Sequence, residues 1–356
     1  MARIYLDHNA TTPLGAAARA AMLAALDEPG NPSSLHAEGR RARELVERAR
    51  DAVARAVGGR REEIVFTSGG TEANNLALRL GGRVVISAVE HPSVDGAAGP
   101  GARRVRVDRE GRVDLDELAT LVADGPATLV SVQLANHEIG VVQDLPGIVA
   151  VARRHGARVH TDAVQALGKL SVDVRALGVD ALTLSAHKIG GPKGAGALWL
   201  RDGIDVESLL RGGHQERERR PGTENVVGIV GFGAASAALG GGAAAEQGAL
   251  RDRFEAGARA LGGRVAGAGA PRVPNTSYVA FDGVAGELLM QALDLEGVSV
   301  STGAACSSGS LEPSPVLRAI DFPEGIRVSV GAGNTADEID RVLALLPALL
   351  ERIRRA

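Results

Sequence analysis

The sequence predicts an α/β protein built on a mainly parallel sheet with helices on both faces. Three observations carry that expectation. Short apolar runs alternate with helical segments through the first two hundred residues, the order that βαβ units require. Polar residues gather where several of those runs end, at Thr71, His91, Asn136, Asp162 and His187–Lys188, and the carboxyl ends of strands form the ligand crevice of open α/β sheets. The 356 residues, 45% hydrophobic but only 2% aromatic, suffice for a substantial aliphatic core and for two domains.

Taken in order, residues 1–13 read as a short strand and a polar turn, and Ala16 to Leu26 as a helix. EPGNPSSLHAEG is a loop before an amphipathic helix from Arg40 to Val57, rich in Arg and Glu. EEIVFTSGGTEANNLALRL gives a strand, a polar glycine turn and a helix. VVISAVEH is a strand ending at Glu90–His91, followed by the strand VRVD and the helix DLDELATLV. TLVSVQLANHEIG is a strand ending at Asn136–His137–Glu138; PGIVAVARRHG is a helix with a glycine stop. RVHTDAVQALG reaches Asp162 as a strand, and DALTLSAHKIGG and GALWL are two more. Ile229 to Ala260 reads as Ala/Gly-rich helix joining a second domain. There the pattern changes to strand TSYVAF, helix GELLMQAL, strand GVSVST, a loop, a helix after Pro313, strand GIRVSVG and a last helix capped at Thr335.

The formal net charge of -3 gives no general reason to expect nucleic acid or an anionic membrane surface. A basic, apolar leader and an apolar run of membrane-spanning length are both missing, so the cytoplasm is the expected location. The single cysteine, Cys306, excludes an intrachain disulfide and a multi-thiolate metal site within one chain. It sits in STGAACSSGS, a run of small polar residues that reads as a loop, where a reactive thiol and a small packed residue are both open readings. The eight histidines form no recognisable metal-ligand set, and HEIG lacks the second histidine of a zincin.

SGGTEANN, Ser68 to Asn75, opens a helix after a strand. Its small residues let backbone N–H groups reach a phosphate, although an ordinary strand-to-helix turn looks the same. It is neither a P-loop nor a dinucleotide fingerprint. Asp162, Gln165, Ser185, His187 and Lys188 fall close together in sequence. A carboxylate at a strand end is usually a cap; beside a pyridinium nitrogen it holds that nitrogen protonated, with a lysine as Schiff-base partner, as pyridoxal phosphate requires. Arg327 interrupts the apolar strand GIRVSVG, so a carboxylate partner is expected for it. QERERR, 215–220, reads as a solvated charge run or a rim at an interface or active site.

The motifs YLDHNATTP (5–13), NPSSLHAEG (31–39), FTSGGTEANN (66–75), EHPSV (90–94), NHEIG (136–140), HTDAVQALGK (160–169), SAHKIGGPKGAGAL (185–198), GGHQERERRPGTENV (212–226), SVSTGAACSSGSLEPSPVLRAI (299–320) and IRVSVG (326–331) occur in one order along nearly the whole chain. With them the chain closely resembles the NifS/IscS-type cysteine desulfurases, pyridoxal-phosphate enzymes of aminotransferase fold type I. The resemblance implies a mainly parallel seven-stranded sheet in a large domain, 14–257, and a smaller α+β domain from 1–13 and 258–356. It makes Lys188 the Schiff-base lysine and places Gly70, Thr71, Ser185 and His187 on the phosphate. Thr223 would join them from a neighbouring subunit, which implies a homodimer. Asp162 would face the pyridine nitrogen, Gln165 the ring hydroxyl oxygen, and His91 would stack on the ring and move protons. Asn136 and Arg327 would bind the substrate carboxylate, and Cys306 would take sulfur from L-cysteine as a persulfide, leaving L-alanine. A protein sulfur acceptor, such as an iron–sulfur scaffold or a tRNA-thiolation carrier, is then the expected partner. His137 stands where the family usually has a second Asn, and His214 where glycine is common; the short segment after Arg327 puts standard scaffold docking in doubt. A selenocysteine lyase, a fold-type-I aminotransferase or an inactive scaffold are the rival readings.

Overall fold

The computed structural model describes residues 3–124, 129–240, 242–303 and 314–355. The strands are β1 (Ile4–Tyr5), β2 (Ile64–Thr67), β3 (Val84–Ser87), β4 (Arg103–Val105), β5 (Leu129–Ser131), β6 (Arg158–Asp162), β7 (Ala181–Ser185), β8 (Gly196–Leu200), β9 (Gly263–Val265), β10 (Thr276–Phe281), β11 (Val298–Ser299) and β12 (Ile326–Ser329). The helices are α1 (Ala16–Ala25), α2 (Ala37–Ala56), α3 (Gly70–Ala77), α4 (Pro92–Ala98), α5 (Leu115–Ala123), α6 (Leu145–Arg154), α7 (Val174–Leu177), α8 (Val226–Ala237), α9 (Ala243–Ala260), α10 (Gly286–Leu295), α11 (Pro315–Ala319) and α12 (Ala336–Arg355).

Seven strands form the main sheet in the order β2-β8-β7-β6-β5-β3-β4. Only β8 runs against its neighbours; the other pairs are parallel. Helices cover both faces, so β2, β7 and β8 are buried at every residue, and IVFT, ALTLS and GALWL are accordingly near-continuous apolar runs rather than alternating ones. Parallel pairing brings the carboxyl ends of β3, β5, β6 and β7 to one edge, and Asp162 lies in register with Thr183.

A second core surrounds an antiparallel sheet, β12-β10-β9. The chain's beginning belongs to it: β1 pairs with β11, and Ile4 and Leu6 pack with Phe254, Leu293, Val328 and Leu346. The helix expected from Ile229 to Ala260 is two helices, α8 and α9. Strand β9, only Gly-Arg-Val, carries too little pattern to be foreseen. Helix α12 opens as expected, with Thr335 Oγ1 accepting the Glu338 N–H at 3.3 Å and the Glu338 carboxylate accepting the Thr335 N–H at 3.0 Å. Among the described residues no helix is long and apolar enough to cross a membrane.

Candidate active site

Lys188 ends a single 3₁₀ turn, Ala186–Lys188, that follows β7. The chain then reverses at Gly190, whose φ of 78° suits glycine. The turn aims Lys188 Nζ at the N-terminal segment, where it donates to the main-chain oxygens of Asn9 at 2.5 Å and Ala10 at 2.9 Å. His187 is bonded to Thr11 Oγ1 at 3.1 Å, and its pKa is lowered to about 4 by burial and then by Lys188 and Lys193.

Asp162 is buried at the end of β6. Its Oδ1 accepts the Val164 N–H at 2.9 Å and its Oδ2 accepts Asn74 Nδ2 at 2.8 Å. Asn74 Nδ2 also donates to Ser93 Oγ at 2.9 Å, and Ser93 Oγ lies 2.8 Å from His91 Nδ1. The Ser93 backbone N–H donates to the same nitrogen at 3.1 Å, as the cap of α4. His91 Nδ1 is therefore an acceptor, and the neutral ring carries its proton on Nε2. Burial, then His137, hold the His91 pKa down to about 4, with Lys188 adding to the fall and Asp162 opposing it. Asn74 and Ser93 thus connect the Asp162 carboxylate to the His91 ring. The His91 and His137 rings meet edge to face at 5.2 Å.

The N-terminal turn of α3 closes the opposite side. A Cβ on Gly70 would press on Val164 Cγ2 at 3.1 Å and lie 3.6 Å from Ser185 Cβ, space that glycine leaves open. Ser185 is buried and Thr71 exposed. Gln165 Nε2 donates to Asn9 O at 2.9 Å. Asn136 is fully buried and largely committed to its own turn: Oδ1 accepts the N–H groups of Glu138 and Ile139, each at 2.9 Å, and Nδ2 donates to Val89 O at 3.1 Å. Arg327 is buried too, and the carboxylate expected for it is Asp7, which accepts Nη2 at 2.8 Å. Nη1 donates to His137 O at 2.9 Å, and buried Nε has no hydrogen-bond partner among the described residues. An external carboxylate is thus not required to balance the Arg327 charge.

Thr223 stands apart from this network. It is exposed and lines, with Ser68 and Arg220, a cavity of about 250 Å³. Cys306 lies outside the described residues. The residues flanking its segment are placed: Ser314 Oγ donates to the buried Glu138 carboxylate at 2.7 and 2.8 Å, and a Cβ on Gly303 would meet Glu138 Oε2 at 2.7 Å. His91, His137, Glu138 and Gly303 line one cavity of about 460 Å³. The described residues hold no cluster of His, Cys, Asp and Glu able to bind a metal ion.

Sequence pattern misses four residues that organise the site: Asn9, Asn74, Ser93 and Lys169. Asn9 bonds across the chain to Thr276 Oγ1 at 2.9 Å and accepts Lys169 Nζ on Oδ1 at 2.8 Å. All four sit inside the motifs quoted above, which is the only signal that marks them. The donor set suits a phosphorylated pyridine aldehyde: a buried carboxylate braced by two N–H donors, a lysine at a strand end, a neutral histidine and a helix N-terminus kept open by glycine.

The aminotransferase class-V family model matches residues 4–342. A cysteine desulfurase of Cereibacter sphaeroides is 46% identical, over 99% of this chain and 97% of its own. Among solved structures, a NifS-like protein from Rickettsia africae superposes with a TM-score of 0.90 at 32% identity, covering 99% of this chain and 100% of the other. SspA, solved in complex with cysteine, gives a TM-score of 0.81 at 30% identity, covering 92% and 98%. The chain belongs to the aminotransferase class-V family, whose members of this NifS/IscS type depend on pyridoxal phosphate.

Proposed function

We propose that the protein is a pyridoxal-phosphate-dependent cysteine desulfurase that removes sulfur from L-cysteine. The observation that carries this reading is the hydrogen-bond chain from Asp162 through Asn74 and Ser93 to His91, at strand ends next to the one that carries Lys188 and beside the cavity that His91 and Gly303 line. Asp162 would hold the pyridine nitrogen, Gln165 the ring oxygen, His91 the ring face, and the α3 N-terminus with Ser185 and His187 the phosphate. When bound, the cofactor supplies an aldehyde that condenses with amines and a ring that accepts an electron pair.

Lys188 then has two tasks at Nζ: to hold the cofactor at rest, and to take the substrate Cα proton when the substrate amine replaces it. His91, neutral with its proton on Nε2, is suited to donate that proton to a leaving group. Arg327 Nε and the remaining N–H of Asn136 are the donors for the substrate carboxylate. The Cys306 thiolate would attack the substrate sulfur: a sulfur–sulfur bond forms, the substrate carbon–sulfur bond breaks, and the carbon takes up a proton. L-cysteine and the enzyme thiol become L-alanine and an enzyme persulfide, with no external oxidant. The exposed position of Thr223 supports a homodimer in which it serves the partner's phosphate site. The two separate cores support a large domain of 14–257 and a small one of 1–13 and 258–356, with Phe254 of α9 already in the second core.

The test is to add L-cysteine to the purified holoprotein and measure alanine and Cys306 persulfide. Cys306→Ala should keep the cofactor absorbance and lose persulfide and turnover. Undiminished alanine formation by the variant, or keto-acid-dependent amino transfer without need of Cys306, would sink the assignment.

A further inference from the structure

Gln165 and Lys169 lie four residues apart in the turns after β6, and Lys169 is not used by the mechanism above. Lys169 Nζ is 2.5 Å from Gln165 Oε1 and 2.8 Å from Asn9 Oδ1. An ammonium group only donates, so both amides must turn oxygen toward it. Gln165 Nε2 then points the other way, and it donates to Asn9 O at 2.9 Å. That carbonyl is the one Lys188 Nζ also bonds. Gln165 thus has sorted ends: oxygen on Lys169, N–H groups on the side of Lys188. Asn9 is sorted by the same contact, its Nδ2 donating to Thr276 Oγ1 at 2.9 Å while Asn275 Nδ2 joins Lys169 on Oδ1 at 3.1 Å.

We propose that Lys169 is a positioning residue that makes Gln165 an obligate hydrogen-bond donor toward the ring hydroxyl oxygen of the cofactor. The proposal rests on the cofactor reading above. The two ends of a glutamine amide have nearly the same shape, so packing alone does not decide which one faces a ligand. A donor-only neighbour does. An N–H aimed at the ring oxygen favours its anionic form; an amide oxygen there opposes it. Burial, and then the charges of Lys188 and Arg327, lower the Lys169 pKa. A neutral amine keeps two N–H groups for the amide oxygens but gains a lone pair, so the sorting is strict in the ammonium form, which the two amide oxygens at 2.5 and 2.8 Å favour.

The readout is the midpoint pH of the visible absorbance of holoprotein without substrate, with pyridoxal-phosphate affinity measured alongside. Lys169→Met, which retains the length of the side chain but no donor, should raise the midpoint by about one pH unit and weaken cofactor binding. Lys169→Arg should restore the midpoint. Gln165→Leu should raise it as Lys169→Met does, and the double variant should go no further, because the lysine acts through the amide. Additive shifts, or a Gln165→Leu shift with none from Lys169→Met, overturn the proposal. No cofactor absorbance in the native protein, or no shift from Gln165→Leu, instead overturns the cofactor placement on which it stands. If Lys169→Met does not fold, Lys169→Gln, which cannot act as a donor-only group, enters the same cycle.

Discussion

Replacing Glu90 by glutamine should abolish an alkaline decline in stability that the native carboxyl imposes. Glu90 is buried beside His91, and burial raises its pKa from 4.5 to about 8, with Asp162 and Asp95 adding to the rise. A carboxyl whose folded pKa is raised stabilises the fold fully below the unfolded value and loses that contribution as pH climbs through the folded one. The histidines act in the opposite sense. Burial lowers His91 and His187 to about 4 and His160 to about 3, so the unfolded chain binds more protons below 6.5 and stability falls as the pH drops from there. Three histidines outweigh one carboxyl on the acid side; toward alkaline pH Glu90 is opposed by Lys169, whose lowered pKa leaves the extra proton on the unfolded chain, so the Glu90 contribution is the difference between native protein and variant. At about 1.4 kcal/mol per pH unit, the native protein should lose roughly 2 kcal/mol relative to the glutamine variant between pH 6.5 and about 8. Glutamine reproduces the neutral acid, because its oxygen can accept the Gln133 N–H and its NH₂ can donate to Ser87 Oγ, the two groups that Glu90 already contacts. Urea unfolding of the holoprotein from about pH 6 to about pH 9, at fixed protein and cofactor concentration, measures both curves. The gap between variant and native protein should widen with pH across that window. Parallel curves, or a variant several kcal/mol weaker at pH 6.5, would refute the reasoning.

Glu216→Gln should cost about 3–5 kcal/mol in urea unfolding, because it leaves Arg50 buried after losing a two-pronged ion pair, each bond 2.7 Å. Cofactor affinity should fall with it, since Glu216 also accepts the Phe66 N–H at 2.9 Å just before the turn that opens α3; a loss under about 1 kcal/mol contradicts the burial argument. Ser314→Ala removes the hydroxyl from the Glu138 carboxylate beside the cysteine segment. It should slow alanine formation from L-cysteine and leave the cofactor spectrum unchanged, whereas native turnover would show that the anchor has no part in the reaction.

The main sheet was legible because buried parallel strands write themselves as apolar runs, and IVFT, ALTLS and GALWL all became strands. The strand ends were legible for the same reason, since a polar residue that terminates such a run has few places to go but the crevice. Pairings over long separations were not. QERERR reads locally as a solvated charge run, yet Glu216 is buried because Arg50, 166 residues away, reaches it. Arg327 signals a missing carboxylate, but nothing in GIRVSVG says that Asp7 supplies it. Lys169 likewise looks like a polar stop after a short strand until Asn9 and Gln165 are seen around it.

The N-terminal segment explains why these distant residues converge. Ile4 and Leu6 pack in the second core, while β1 pairs with β11. A few residues later the same strand of chain touches the end of β7: Thr12 N–H donates to His187 O at 2.9 Å, Thr11 bonds the His187 ring, and Thr12 Oγ1 donates to Lys188 O at 3.2 Å. Asn9 sits between, its N–H on Ser329 Oγ at 2.9 Å and its carbonyl on Lys188 Nζ. The acceptors around Nζ are therefore held by the second core, not by the sheet that carries Lys188. A relative displacement of the two cores would change what the lysine amine bonds to without moving the lysine's own backbone. Arg327 lies in the same linkage, tied to Asp7 and to the His137 carbonyl. The group read as the substrate's carboxylate anchor and the group read as the proton-transferring amine thus share one short segment, through Asp7 on one side and Asn9 and Ala10 on the other.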